Sequence, residues 1–360
     1  MGEEMQRLDR LRAKLGEGSL DGLVVSAPDS IFYLSGFRGS SGALLITTER
    51  RILLSDFRYR LQAREQAPQF EFVEVPRRLV AGVGAQAASN GVKRLGYDQS
   101  HLTCELRDQL AEALAGGELL PAGGLVEELR SVKSPSEIER ITEAAALADR
   151  ALAHMIRLLR PGAVERAIAL EGEFLMRREG AEAAAFDIIV ASGPRSALPH
   201  AETTERQLER GNLVVIDIGA RVAGYCSDMT RTFAVESASD KAREIYRIVY
   251  PAQRAATARV RPGARCCDLD GIARAMIEKA GYGESFGHGL GHGVGIAVHE
   301  RPRLAKGEEA ELVAGNVVTV EPGIYLDGFG GVRLEDLIAV TQEGAETLTG
   351  ALMPMELAVV

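Results

Sequence analysis

The sequence predicts an α+β fold in which one strand–turn–strand unit occurs twice, preceded by a smaller α/β region. The repeat is the first observation, since residues 211–220 align with residues 315–324 and each stretch ends a valine-rich strand on a carboxylate. The second is the alternation of helical and strand patterns through residue 125, which is typical of an α/β unit. The third is the length of 360 residues, which exceeds a typical single domain. We therefore expect two domains, residues 1–127 and residues 128–360.

The first of these domains is expected to begin with an amphipathic helix and to continue with short apolar strands. Apolar spacing predicts the helix over residues 4–17. The strands are predicted at Gly22–Ser26, Ala43–Thr47 and Arg51–Leu54. The Asp and Glu residues of this region follow no ligand spacing, so we expect no catalytic motif in it.

The second domain is expected to place helices over a curved antiparallel sheet. Ser134-Pro135-Ser136-Glu137 is typical of a helix start, and that helix should end near Leu159, where Arg160-Pro161-Gly162 stops it. The further predicted elements are a strand at Phe186–Ala191, helices at Ala163–Glu179, Lys241–Val260 and Cys266–Lys279, and strands from Asn316 onward.

The repeated unit carries two carboxylates in each copy. Asp217 and Asp228 belong to the first copy, and Glu321 and Glu335 to the second. Two such hairpins related by an approximate two-fold axis would bring the four carboxylates to one point. Because four like charges at that distance raise one another's pKa unless cations neutralise them, the pattern indicates bound metal.

Histidines cluster between the two copies of the repeat. His288, His292 and His299 fall within twelve residues, separated by glycines that allow close approach of backbone and ligand. The glycines alone do not indicate a phosphate-binding loop, because no Gly-Lys-Ser/Thr ending follows them. A further histidine, His200, follows the strand predicted at residues 186–191, a position where a lone histidine is ordinarily a surface residue.

Four carboxylates and one imidazole are a ligand set for a pair of divalent cations. Oxygen ligands suit manganese, and the one nitrogen of His292 makes cobalt or zinc alternatives. The sequence therefore predicts a dinuclear metallohydrolase with two divalent ions, of which manganese is the expected one.

Five segments together resemble the pita-bread metallopeptidases, in the branch of Xaa-Pro aminopeptidases (aminopeptidase P) and prolidases. Residues 129–138 also resemble the junction in this family between a creatinase-type N-terminal domain and the catalytic domain, so the resemblance covers nearly the whole chain. The five segments are Ala191–His200, Asp217–Thr232, Gly287–Pro302, Val320–Tyr325 and Gly331–Asp336.

The resemblance implies a role for each of these polar residues. Asp228 and Glu335 would bridge the two metals, and Glu321 would also accept a proton from the nucleophile. His200 and His299 would lie beside the scissile bond, while His288 and Arg333 would support the site from outside the ligand shell. The complete implied ligand set is Asp217, Asp228, His292, Glu321 and Glu335.

The resemblance also implies a pocket for proline after the scissile bond. Phe186 and Val298 match pocket positions of the family, although ordinary core packing is the more common reason for a single apolar residue in a strand. A strict dipeptidase needs a cation for the substrate carboxylate, which Arg303 or Arg301 offers, but such arginines are also compatible with an aminopeptidase. We expect a Xaa-Pro aminopeptidase acting on short proline-containing peptides, with prolidase, a Xaa-Pro dipeptidase, as the alternative.

Three further functions fit the same fold less well. Methionine aminopeptidases share the five ligands, but their simplest forms lack a domain like residues 1–127. Creatinase shares both domains and lacks the metal ligands, whereas this chain retains them. A non-catalytic binding protein on this fold would also have lost ligands.

Charge and composition restrict the partners and the location. The net charge of −9 disfavours nucleic acid and anionic membranes as partners. The N-terminus lacks the pattern of a signal peptide, and the spacing of the four cysteines indicates neither a disulfide framework nor a zinc ribbon. We therefore expect a cytoplasmic enzyme, and by resemblance a homodimer.

Overall fold

The structure is a computed structural model, and it describes residues 2–360. The chain divides into two compact units, the first ending at Arg130 and the second comprising Ser131–Val360. The domain boundary predicted between residues 127 and 128 falls inside the helix Leu125–Ser131. This boundary stays a prediction. Helices of residues 2–360 do not combine the length and the apolarity that a bilayer-crossing segment requires.

The first unit alternates helices with the strands of one sheet. Its helices are α1 (Glu3–Glu17), α2 (Pro28–Ser35), α3 (Arg60–Gln66), α4 (Leu79–Ser89), α5 (Cys104–Ala113) and α6 (Leu125–Ser131). Its strands are β1 (Gly22–Val25), β2 (Ala43–Thr47), β3 (Arg51–Ser55), β4 (Glu71–Glu74), β5 (Arg94–Tyr97) and β6 (Glu118–Pro121). The strand order is β4-β3-β2-β1-β5-β6, with β1 antiparallel to β2 and parallel to β5.

The elements predicted for this unit are confirmed to within one residue. Leu8, Leu11 and Leu15 of α1 are buried, and their spacing of three and four residues places them on one face of the helix. Strands β1 and β2 are buried along their whole length, as central strands of a covered sheet are expected to be.

The second unit contains the repeated hairpins and the helices that pack on them. Its helices are α7 (Pro135–Ile156), α8 (Glu165–Arg178), α9 (Asp240–Thr257) and α10 (Cys266–Lys279). Its strands are β7 (Ala183–Ala184), β8 (Ile189–Ser192), β9 (Leu213–Ile218), β10 (Ala220–Val222), β11 (Tyr225–Cys226), β12 (Met229–Ala234), β13 (Gly291–Gly293), β14 (Glu300–Leu304), β15 (Val317–Val320), β16 (Gly323–Leu326), β17 (Gly330–Arg333), β18 (Asp336–Val340), β19 (Ala345–Thr347) and β20 (Ala358–Val359).

The predicted start of α7 is confirmed, and its cap explains it. The Ser134 hydroxyl accepts from the Glu137 backbone N–H, and the Glu137 carboxylate accepts from the Ser134 N–H. This reciprocal pair satisfies two donors that the first helical turn leaves free. The helix ends at Ile156, three residues before the predicted end.

The internal repeat is present in the strand order as well as in the sequence. The first copy runs through β9, β10, β11 and β12, and the second through β15, β16, β17 and β18. In each copy the first strand pairs antiparallel with the fourth, and the second pairs antiparallel with the third. The two copies are therefore the same hairpin used twice, as the sequence predicts.

Each copy of the repeat has its own hydrophobic core. One core contains side chains of α7, α8, β8, β9 and β12, and the other contains side chains of α9, α10, β15, β16 and β18. Two helices thus pack against the strands of each copy, which confirms the predicted α+β arrangement.

The strand predicted at Phe186–Ala191 begins three residues later than expected. Strand β8 starts at Ile189, because its pairing with β9 starts there, opposite Asp217. Phe186 therefore lies in the bend between β7 and β8, where it is half-buried.

Candidate metal centre

Three of the predicted ligands converge at the junctions of short strands. Asp228 lies between β11 and β12, Glu335 occupies the equivalent place between β17 and β18, and His292 is the middle residue of β13. One ligand atom from each of the three lies within 4.8 Å of the others. Asp228 and Glu335 are buried, at 6 % and 1 % exposure, so water competes poorly for these oxygens.

The other two predicted ligands lie against the same group. Glu321 follows β15 directly, and its Oε1 is 3.3 Å from His292 Nε2. Asp217 lies in β9 and accepts a 2.5 Å hydrogen bond from Arg333 Nη2. The structure therefore brings the repeat's four carboxylates and one imidazole to one place.

The carboxylates raise one another's pKa. Burial, with the charges of Glu335 and Asp217, raises the pKa of Asp228 well above its ordinary value. Burial, with the charges of Glu321 and Asp217, does the same to Glu335. For Glu321, burial alone would raise the pKa, but the hydrogen-bonded His292 outweighs it and the pKa is lowered. Such a cluster is costly to ionise without a neutralising cation.

Two carboxylate oxygens have the environment expected of metal ligands. Asp217 Oδ1 and Glu335 Oε1 are buried, and neither accepts a hydrogen bond from any part of residues 2–360. Buried carboxylate oxygens are almost always hydrogen-bonded or bound to metal. The site therefore fits a divalent cation pair held by Asp217, Asp228, His292, Glu321 and Glu335.

Two threonines that the sequence analysis did not single out support these ligands. The Thr230 hydroxyl donates a 2.6 Å hydrogen bond to Glu335 Oε2 and accepts from Arg333 Nε at 3.1 Å. In the other copy, Thr319 donates to Glu321 Oε1 and accepts from the His292 N–H. Both threonines lie two residues from a ligand, in Asp-Met-Thr and Thr-Val-Glu, and that spacing was the available signal.

His288 and Arg333 lie just outside the ligand group and share a partner. His288 Nε2 is 2.9 Å from the Tyr325 hydroxyl, which also accepts from Arg333 Nη1 at 3.2 Å. Burial lowers the pKa of His288, which favours the neutral imidazole. Arg333 is 3 % exposed and bonds to Asp217, as an orienting residue for a ligand would.

His200 and His299 are exposed residues at the edge of the site. The rings of His299 and His292 are 4.3 Å apart, which places His299 directly beside the ligand group. Burial and His292 lower the pKa of His299, and the nearby His200 contributes to the same lowering. His200 therefore lies close enough to His299 to lower its pKa.

The three predicted substrate residues occupy separate positions in the second unit. Phe186 packs on the turn that follows Asp217, since a Cβ added at Gly219 would lie 2.9 Å from Phe186 Cε1. Val298 immediately precedes His299 and is partly buried. Arg303 is exposed on β14 and stands directly opposite His292 in the β13–β14 ladder. Directly opposite residues of an antiparallel pair project from the same face.

Together, the repeated hairpin and its ligand group define the class as a metal-dependent hydrolytic enzyme, and comparison with known proteins names the family. Residues 139–342 match metallopeptidase family M24, and residues 7–132 match the creatinase/prolidase N-terminal domain. The chain belongs to this metallopeptidase family, with both of its domains. A Xaa-Pro dipeptidase of Pyrococcus furiosus is 37 % identical over 96 % of this chain and 97 % of its own length.

Solved structures agree along almost the whole chain. A Xaa-Pro dipeptidase from Bacillus anthracis is 43 % identical, with a TM-score of 0.95 over 99 % of this chain and 100 % of its own. An X-Pro aminopeptidase from Thermotoga maritima is 36 % identical, with a TM-score of 0.88 over 98 % of this chain and 100 % of its own. The predicted pita-bread catalytic fold and creatinase-type N-terminal domain are confirmed.

Proposed function

We propose that this chain is a metal-dependent Xaa-Pro dipeptidase, a prolidase, that hydrolyses dipeptides with proline as the second residue. The sequence analysis favoured the aminopeptidase and left this activity as the alternative. Two of the three relatives described above are Xaa-Pro dipeptidases, and these comparisons favour the alternative. The observation in this chain that carries the proposal is the placement of Arg303 opposite His292.

Arg303 is the proposed partner of the substrate carboxylate. A Xaa-Pro dipeptide ends one residue after its scissile bond, so its carboxylate must lie within a few ångströms of the metal ligands. The fork of a guanidinium pairs with a carboxylate through two hydrogen bonds. Arg303 shares a strand face with His292 and is exposed, which leaves its guanidinium available to a substrate.

The remaining residues are proposed to take the roles that the family resemblance implies. His200 and His299 supply hydrogen bonds to the oxyanion and to the leaving prolyl nitrogen, while Phe186 and Val298 contact the proline ring. Glu321 accepts the proton of the attacking water. Divalent cations held by the proposed ligands would lower the pKa of a water nearby and polarise the scissile carbonyl.

We propose manganese as the metal, with cobalt or zinc as alternatives, because four of the five proposed ligands offer oxygen. The homodimer and the cytoplasmic location expected from the sequence stay predictions.

Three matched peptides test the proposal: Ala-Pro, its C-terminal amide and Ala-Pro-Ala, each assayed with metal-stripped enzyme reloaded with manganese. We expect kcat/KM for Ala-Pro to exceed that for the amide by about 10²-fold, since the amide lacks the charged partner. Arg303→Ala should remove most of this preference by lowering the rate on Ala-Pro while leaving the amide rate nearly unchanged.

Arg301→Ala is the matched control, since Arg301 is the other exposed arginine of β14. It should retain the preference for the free carboxylate. Equal cleavage of Ala-Pro-Ala and Ala-Pro would instead identify an aminopeptidase. Loss of the preference in the Arg301 variant alone would assign the carboxylate partner to Arg301.

A further inference from the structure

Glu165 is a fully buried carboxylate that lies outside the metal ligand group. It is the first residue of α8 and has 0 % exposure. Its Oε1 accepts hydrogen bonds from the Ser192 N–H at 2.8 Å and the Ser192 hydroxyl at 2.7 Å. Its Oε2 accepts from the Thr204 N–H at 3.1 Å and the Thr204 hydroxyl at 2.6 Å. Each carboxylate oxygen therefore holds both the backbone and the side chain of one residue.

These four hydrogen bonds close the loop that carries His200. Ser192 is the last residue of β8, and Thr204 lies on the returning chain, so residues 193–203 form a loop whose two ends meet at Glu165. Inside the loop, Arg195 Nη2 donates to the Glu202 carbonyl at 2.5 Å. The Arg195 guanidinium is also 3.8 Å from Glu165 Oε2, which supplies a partial counter-charge.

The tip of the same loop is held from the opposite side by the metal centre. Arg333 Nη1 donates to the carbonyl of Pro199, the residue before His200, at 2.9 Å, and Arg333 Nη2 donates to Asp217. The Ser196 hydroxyl accepts from the Gly331 N–H at 2.9 Å. Glu165 thus fixes the ends of the loop, while Arg333 fixes its tip next to His200.

A charged group is needed at position 165 because both loop ends present backbone N–H donors. A carboxylate offers acceptors on both oxygens, whereas the amide of glutamine would turn an NH2 group toward one end. A buried carboxylate is costly unless it is fully hydrogen-bonded, and here both oxygens are. Hydrogen bonds to an ionised acceptor are also the stronger kind.

We propose that Glu165 is a positioning residue for His200: it closes the base of loop 193–203 so that the imidazole is held beside the metal centre. The inference rests on the proposed function, in which His200 acts at the scissile bond. Glu165 touches neither substrate nor metal in this proposal and acts only through the loop.

A double-mutant cycle between Glu165→Gln and His200→Ala tests this role. In the parent, Glu165→Gln should lower kcat on Ala-Pro by about 10- to 100-fold, the cost expected when a catalytic group is displaced by about 1 Å. In the His200→Ala background, the same substitution should have almost no further effect on kcat. Bound metal per chain should equal that of the parent in all four proteins.

The control variant is Glu171→Gln, which removes an exposed carboxylate of the same helix and should leave kcat unchanged. Hydrogen exchange supplies a readout besides activity: amides of residues 193–203 should exchange faster in Glu165→Gln than in the parent. If Glu165→Gln does not fold, Thr204→Val removes one of the four donors, and the same cycle is measured with it.

The proposal would be overturned if Glu165→Gln lowered kcat equally in both backgrounds or left it at the parental value. Loss of bound metal, or unchanged exchange of residues 193–203, would also overturn it. If instead the proposed function is wrong, the parent enzyme will cleave no Xaa-Pro peptide, so the two failures can be told apart. The hydrogen-exchange comparison still tests the closure of the loop by Glu165 in that case.

Discussion

Thr230 links two residues of the candidate metal centre, since its hydroxyl donates to the proposed ligand Glu335 and accepts from Arg333. This arrangement directs one lone pair of Glu335 Oε2 toward the hydroxyl and thereby fixes the orientation of the carboxylate. Groups that orient metal ligands in this way commonly change metal affinity by 10- to 100-fold when removed.

Thr230→Val should therefore weaken manganese binding by about 10- to 100-fold without unfolding the protein, because valine has nearly the same shape and lacks the hydroxyl. Titration of metal-stripped protein by calorimetry measures the affinity. Thr232→Val is the matched control: Thr232 lies two residues along the same strand and its hydroxyl bonds to the backbone of Arg333, not to a ligand. Equal metal affinities in the two variants would contradict the role assigned to Thr230.

The candidate ligands could be located from sequence, whereas the proposed role of Glu165 could not. Asp217 and Glu321 occur in register in two copies of one motif, and a repeat of that kind needs no three-dimensional information. Glu165 stands in the first turn of a helix, where an acidic residue is ordinary because it complements the helix dipole. Its partners are 27 and 39 residues away, so only the folded chain connects them.

At the scale of the element, β13 shows why glycines flank His292. A Cβ added at Gly291 would lie 2.0 Å from the Thr319 carbonyl oxygen, and one at Gly293 would lie 2.2 Å from the Arg301 carbonyl oxygen. The neighbouring backbones therefore approach β13 more closely than a side chain permits. This close approach places His292 next to the carboxylates of the repeat.

Gly291→Ala should destabilise the protein by about 1–3 kcal/mol, the usual cost of forcing a group into a packed region, because a backbone oxygen must move. Urea unfolding monitored by circular dichroism gives the change. Gly271→Ala is the control of opposite sign: Gly271 lies inside α10, where an added Cβ meets nothing within 4 Å. That variant should gain about 0.5–1 kcal/mol from helix propensity. A Gly291 variant as stable as the parent would show that β13 can move away from β15.

The start of α7 was more predictable than the start of β8, for a physical reason. The start of α7 is encoded locally by Ser134 and Glu137, which cap it within four residues. The start of β8 is set by where its partner begins, at Ile189 opposite Asp217. The apolar run from Phe186 contains no sign of that partner, so the predicted strand began too early.

At the scale of the whole molecule, the metal centre concentrates negative charge in an already acidic protein. The net charge is −9, and four of the acidic residues meet at one site, where burial and mutual repulsion raise the pKa of Asp228 and Glu335. A bound cation removes this repulsion in the folded state and has no comparable site in the unfolded chain. Metal should therefore stabilise the fold by mass action.

We expect a chelator to lower Tm and manganese at 100 times its Kd to restore it by about 5–10 °C. One bound ion at that ratio contributes about 2.7 kcal/mol, and each kcal/mol shifts Tm by roughly 2–4 °C in a unit of this size. Scanning calorimetry of the stripped and reloaded protein measures the shift. Glu335→Ala, treated identically, should lose most of it because a proposed bridging carboxylate is gone. An equal shift in this variant would mean that manganese binds elsewhere on the acidic surface, and no shift in the parent would mean that the four carboxylates are held together without metal.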